Sequence, residues 1–187
     1  MPDKHMLRWE KLSSTIAYQN DWILVREDQV VRPNGQAGIY GVVETKAQAV
    51  SIVACSAERK ICLIREYRYP INRASWRIPM GGAGYGALGP LESAQSELAE
   101  EAGIVARDWR LIGQIEPMSG LCSEVALIYL ATEIDIADHA RPSEEELITA
   151  VRFATLREIL SMIRSGDMTD GQSIAAITMA SAVVGWL

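Results

Sequence analysis

Apolar and polar positions follow two different rhythms along this chain. The runs at 49–56 and 60–67 are rich in Val, Ile and Leu and read as strands. Ala57-Glu58-Arg59 between them is a hairpin signal. Runs at 22–26, 29–32, 39–44, 76–80, 109–116, 125–133 and 147–154 read as further strands, the first two short, with Pro33-Asn34-Gly35 and Pro117-Met118-Ser119-Gly120 as turns. At 90–103 the rhythm changes. Leu91, Ala94, Leu98 and Ala102 recur at helical spacing, Pro90 suits a helix start and Gly103 a C-terminal cap. Thr155-Leu156-Arg157-Glu158 is a capping box opening a helix that ends near Gly166, and Asp170 begins a last amphipathic helix. Mixed strands with helices on their faces predict an α/β (α+β) fold. The β-rich start forms a small extension, 1–45, ahead of a main domain at 46–187.

The helix at 90–103 carries chemistry. Glu97, Glu100 and Glu101 stand at i, i+3 and i+4 beside the apolar stripe, which brings them together on one face. Three crowded carboxylates repel one another unless a cation or solvent answers them. Hard oxygen ligands of this kind suit Mg²⁺ or Mn²⁺. Such a metal neutralises phosphate charge and activates water. Ahead of the helix lies a glycine-rich loop, 81–89, itself preceded by an apolar run. Strand, glycine loop and acidic helix follow in the order a metal–phosphate site requires. A solvated surface helix is the simpler reading of the acids alone, and this order outweighs it.

Composition narrows the partners. In 187 residues the net charge is −6, with no run of Lys or Arg, which argues against a nucleic-acid surface. An acidic protein acting on an anionic substrate needs local cations, metal or arginine, at its site. The 49% of hydrophobic residues is ample for a core. Cys55, Cys62 and Cys122 are scattered and odd in number, which fits buried free thiols and a cytoplasmic, reducing compartment. The polar start, 1–11, has no signal-peptide core, and the apolar tail, 174–187, is too short and too rich in Ser and Thr to span a bilayer, so no membrane partner is expected. His5 and His139 suggest no catalytic pairing, and Glu144-Glu145-Glu146 is most simply a solvated loop.

The segment 82–104 resembles the signature of the Nudix hydrolase family, G-x5-E-x7-R-E-U-x-E-E-x-G-U with U a bulky aliphatic. Gly82, Glu97, Leu98, Glu100, Glu101, Gly103 and Ile104 take matching positions. Leu88 and Ser96 stand where a glutamate and an arginine brace the loop in the family. Both partners are missing together, which loses the brace without stranding a charge. The resemblance implies a mixed β-sheet sandwiched between helices. Arg65-Glu66-Tyr67-Arg68-Tyr69-Pro70, Ser75-Trp76-Arg77-Ile78-Pro79-Met80-Gly81-Gly82, 117–124 and 165–171 look like the ADP-ribose pyrophosphatase branch of that family.

That likeness implies metal-dependent hydrolysis of a nucleoside diphosphate linked to another group, ADP-ribose first, giving AMP and ribose 5-phosphate. Glu97 and Glu101 are the implied metal ligands, joined by Glu100 and the backbone carbonyl of Met80. Glu124 matches the position of the general base, and Gly120 lets its loop approach closely. Arg68 offers a planar fork for phosphate oxygens. Arg77 replaces an acid usual in the branch and either holds substrate phosphate or displaces one cation. Gly82 lines the phosphate loop, and Trp22 or Trp9 is a candidate to stack the adenine. Members of the branch are commonly homodimers whose N-terminal parts exchange. The competing readings are another substrate (a nucleotide sugar, NADH or a dinucleoside polyphosphate) and a non-catalytic module that binds a nucleotide.

Overall fold

The structure, a computed structural model, describes residues 8–83, 88–136 and 147–186. His5, His139, the acidic run 144–146 and the centre of the glycine loop, 84–87, lie outside the described residues. The chain divides into two compact units, Met1–Ala47 with Met118–Glu124, and Gln48–Pro117 with Val125–Leu187.

The first unit is an antiparallel sheet in the order β1 (Glu10–Gln19), β2 (Ile23–Val31), β3 (Ala37–Thr45). One continuous β2 stands where two short strands were expected, because its whole length pairs with β3 from Ile23↔Thr45 to Val31↔Ala37. Asn20 Oδ1 accepts the N–H groups of Trp22 and Ile23 at 2.9 and 2.8 Å and so forms the β1–β2 turn. The segment 118–124 joins this unit through a Val43 N–H to Leu121 carbonyl bond of 2.9 Å and a Ser123 N–H to Val43 carbonyl bond of 3.0 Å.

The second unit holds the core. One sheet runs β7 (Met80–Ala83), β4 (Gln48–Ala54), β9 (Ala126–Ile136), β8 (Ile104–Ile115). The other runs β10 (Ile148–Thr155), β5 (Lys60–Arg68), β6 (Arg73–Arg77). The β4–β9 pair is parallel and the remaining pairs are antiparallel. The expected β4–β5 hairpin is not a ladder. The turn forms, with Ser56 N–H on the Lys60 carbonyl at 2.9 Å and Arg59 at φ +58°, yet only Cys55↔Ile61 bridge before the strands part into different sheets. Both strands are buried almost throughout, so each needs its own cover on two faces.

Alternation along β4 and β9 then decides which helix each face receives. Val50, Ile52, Ala54, Tyr129 and Ala131 pack with Ala94 and Leu98 of α1 (Pro90–Ala102). Val53, Ile128 and Leu130 pack with Ile159 and Met162 of α2 (Leu156–Ser165) and with Ala176, Ile177 and Ala180 of α3 (Gly171–Val183). The result is a mixed sheet between helices. The capping box of α2 forms as its sequence requires, with Glu158 N–H on Thr155 Oγ1 and Thr155 N–H on Glu158 Oε2. The last helix is not amphipathic in the expected sense. Its buried face is Ser173, Ala176, Ile177, Ala180 and Ser181, four small residues around one isoleucine, with no contrasting charged face.

Candidate active site

Three elements of the second unit meet around α1. The helix starts at Pro90 after Gly89 and stops where Gly103 turns left-handed, at φ +70°, placing its N–H on the carbonyls of Ala99 and Leu98. Its buried face is Ser93, Ala94, Leu98 and Glu101. Glu97, Glu100 and Glu101 therefore stand side by side but straddle the edge of that face. Glu100 is exposed, Glu97 half-buried, and Glu101 is 0% exposed.

A charge buried to that degree requires a partner, and Arg77 supplies it. Arg77 ends β6, is 1% exposed, and reaches two carboxylates. Its Nη2 pairs with Glu101 Oε1 and its Nε with Glu66 Oε2. Its Nη1 donates to the carbonyls of Ile78 at 3.1 Å and Met80 at 3.4 Å. The other oxygen of Glu101 accepts the Met80 N–H at 2.8 Å. Glu66 is also held from the rim by Arg68, whose Nε lies 3.2 Å from Oε2 and whose side chain is 40% exposed. Arg68, Glu66, Arg77 and Glu101 thus alternate in sign from rim to interior. Burial alone would lower the Arg77 pKa, and the charges of Glu101 and Glu66 more than offset it and raise it. Glu66 was not among the residues singled out from the sequence. A lone acid inside the apolar strand at 60–67 is the signal that marks it.

The Nudix-like loop is built around a close approach. A Cβ on Gly81 would overlap the Glu97 carboxylate, so glycine there lets Glu97 lie against the backbone of β7. Gly82, next along β7, pairs with Ala49 and is exposed. Leu88 is exposed. Ser96, in the position of the family's arginine, donates to Glu100 Oε1 along the helix. In place of the brace whose loss the sequence implies, Ser96 makes a local bond within α1. Trp22 and Glu124 belong to the first unit. Trp22 is 62% exposed, and Trp9 makes an edge-on contact with Tyr40 at 5.2 Å. Glu124 is half-buried, and burial raises its pKa. Cys62, buried near the charge of Glu101, has its thiol pushed up to about 12, first by burial and then by that charge.

The donors sort into two sets with respect to a divalent cation. Glu97 and Glu100 present carboxylate oxygens of the type that Mg²⁺ or Mn²⁺ takes. Glu101 and the Met80 carbonyl do not fit a cation in this arrangement, since Arg77 faces both and the Met80 N–H takes the second Glu101 oxygen. Among the described residues no group of three or more His, Cys, Asp or Glu side chains is arranged to hold a metal.

Comparison with known proteins gives these features a context. Residues 9–43 match the nucleoside diphosphate sugar hydrolase N-terminal domain, and residues 45–176 match the NUDIX domain. An ADP-ribose pyrophosphatase of Mycobacterium tuberculosis (strain ATCC 25618 / H37Rv) is 27% identical over 175 residues, 94% of this chain and 84% of that protein. One of Bacillus subtilis (strain 168) is 29% identical over 150 residues, 80% of each. A crystal structure of an ADP compounds hydrolase has the same fold, with a TM-score of 0.81 over 95% of each chain at 18% identity. With the NUDIX match spanning most of its length and the strand, glycine and acidic helix of that family in order, this chain belongs to the NUDIX domain family and is a Nudix pyrophosphohydrolase.

Proposed function

We propose that the protein hydrolyses the pyrophosphate of ADP-ribose, giving AMP and ribose 5-phosphate, with Mg²⁺ or Mn²⁺. The substrate rests on the relatives named ADP-ribose pyrophosphatase. The observation that carries the site is the Glu97 carboxylate lying against the backbone of Gly81, beside exposed Glu100. Those two residues hold the cation, with Glu101 anchored behind them. When bound, the metal neutralises phosphate oxygens and acidifies the attacking water. Arg68, at the rim, contacts a phosphate through its fork of N–H groups. Gly82 leaves room for that phosphate beside β7, and Trp22 stacks the adenine. Glu124 is the general base, and its raised pKa brings it closer to the working pH than an ordinary glutamate.

We further propose a homodimer built through the first unit. All of β1 is exposed, and Trp9, Leu12, Ile16, Tyr18 and Ile39 are more than half exposed there. Three free buried thiols suit a reducing, cytoplasmic compartment.

The test is AMP release from ADP-ribose with Mg²⁺ or Mn²⁺, wild type against Glu97→Gln/Glu100→Gln. Metal-dependent release that the variant loses supports the proposal. Tight ADP-ribose binding without release favours a nucleotide-binding module, a reading that the internal ion pair on Glu101 keeps in contention. Release from a nucleotide sugar, NADH or a dinucleoside polyphosphate in place of ADP-ribose moves the substrate and leaves the chemistry.

A further inference from the structure

We infer that Arg77 is a built-in cation that takes the place of a metal between Glu101 and the Met80 carbonyl, so that Glu101 is not a ligand of the divalent metal. The inference rests on the metal-dependent reading above.

The carboxylate on the last turn of α1 and the carbonyl of β7 face each other across the guanidinium. Arg77 Nη2 is on Glu101, and Nη1 is 3.4 Å from the Met80 carbonyl. These are the two oxygens that the family resemblance assigns to a metal. The guanidinium is 1% exposed and locked by Glu66 on its far side, so it does not swing away as a rim arginine does. Charge makes the exclusion strong. Arg68, Glu66, Arg77 and Glu101 sum to zero with no added ion. A divalent ion on Glu101 would sit beside a buried positive charge where the effective dielectric is low, and like charges at that range repel strongly. The Met80 N–H holds the second Glu101 oxygen at 2.8 Å and takes up one of its lone-pair directions. Glu100, by contrast, is exposed and accepts a hydrogen bond from the Ser96 hydroxyl. With Arg77 in place of an acid, a fixed guanidinium therefore holds Glu101 and the Met80 carbonyl where the family resemblance implies a metal.

The experiment counts bound Mn²⁺ by the paramagnetic resonance of the free ion, on wild type, Glu101→Gln, Arg77→Gln and Arg77→Gln/Glu101→Gln. Wild type and Glu101→Gln are expected to bind equal numbers. Arg77→Gln is expected to gain one Mn²⁺, which the double variant loses again. Thermal denaturation should show the same difference, with Mn²⁺ raising the Tm of Arg77→Gln more than that of wild type. If Glu101→Gln binds one Mn²⁺ fewer than wild type, or if folded Arg77→Gln gains none, the inference is overturned. The wild-type and Glu101→Gln comparison stands by itself should Arg77→Gln fail to fold, because Glu101→Gln leaves Arg77 paired with Glu66. Failure of the parent reading appears elsewhere, as wild type lacking metal-dependent AMP release, and it overturns both. A Glu101-dependent Mn²⁺ with release intact overturns this inference alone.

Discussion

Arg77 has the most consequential surroundings of any single side chain in the second unit. Replacing it with Ala leaves Glu66 and Glu101 buried beside each other without their shared counter-charge. The expected loss is about 3–5 kcal/mol in urea denaturation. Arg68→Ala, which removes a rim partner, should cost no more than about 1 kcal/mol. Equal losses from the two would mean that the interior pair is not the stronger one. Glu124 makes a prediction in pH. Its pKa is raised by burial, and a base works only once deprotonated. The acidic limb of kcat/KM should therefore lie above the ordinary glutamate range of about 4.3, and Glu124→Gln should abolish that limb with most of the rate. The stability sign is the opposite. A raised carboxyl pKa contributes stability below the unfolded value and loses it as pH rises through the folded one. Much at this scale was legible in sequence. Glu97, Glu100 and Glu101 stand out by spacing, and the departure at Arg77 by the family resemblance. Whether Arg77 faces phosphate or carboxylate was not legible, because Glu66 and Glu101 lie 11 and 24 residues away in the chain.

Among elements, α1 and β7 form the working pair. Gly81→Ala places a methyl where the Glu97 carboxylate lies. The carboxylate is the far end of a flexible side chain and can move, so the fold should survive while Mn²⁺ affinity falls by about tenfold or more. Retained affinity would argue that Glu97 does not work from its position against β7. Thr155→Ala removes the acceptor for the Glu158 N–H and should cost about 1 kcal/mol through the start of α2, read as a lower Tm. Helix ends were the most legible elements, since Pro90, Gly103, Thr155 with Glu158, and Asp170 act through bonds to near neighbours. Strand partners were the least legible. Apolar runs at 49–56 and 60–67 looked like two arms of one hairpin, yet β4 takes β7 and β9 while β5 takes β10 and β6.

For the whole molecule, the first unit leaves β1 exposed with large apolar side chains along it. A Leu12→Glu/Ile16→Glu variant should convert a dimer to a monomer in light scattering after size exclusion, because burying those charges in an interface costs far more than leaving them in water. A wild type that is monomeric at high concentration would sink the dimer. The sequence by itself determined what depends on neighbours a few residues apart: the caps, the apolar run that buries β4, the glycine-rich stretch from 81, and the row of acids on α1. Only the tertiary structure decided that Glu101 meets a cation of the protein's own, Arg77. Strand pairing between β5 and β6 sets Arg77 opposite Ile64 and Glu66 opposite Ser75, so the two charges are diagonal neighbours, and packing of α1 on the sheet turns Glu101 inward to join them. Spacing along a helix says which side chains share an edge. It takes the burial of that edge, and the charge that answers it, to say which of them remain available to a ligand.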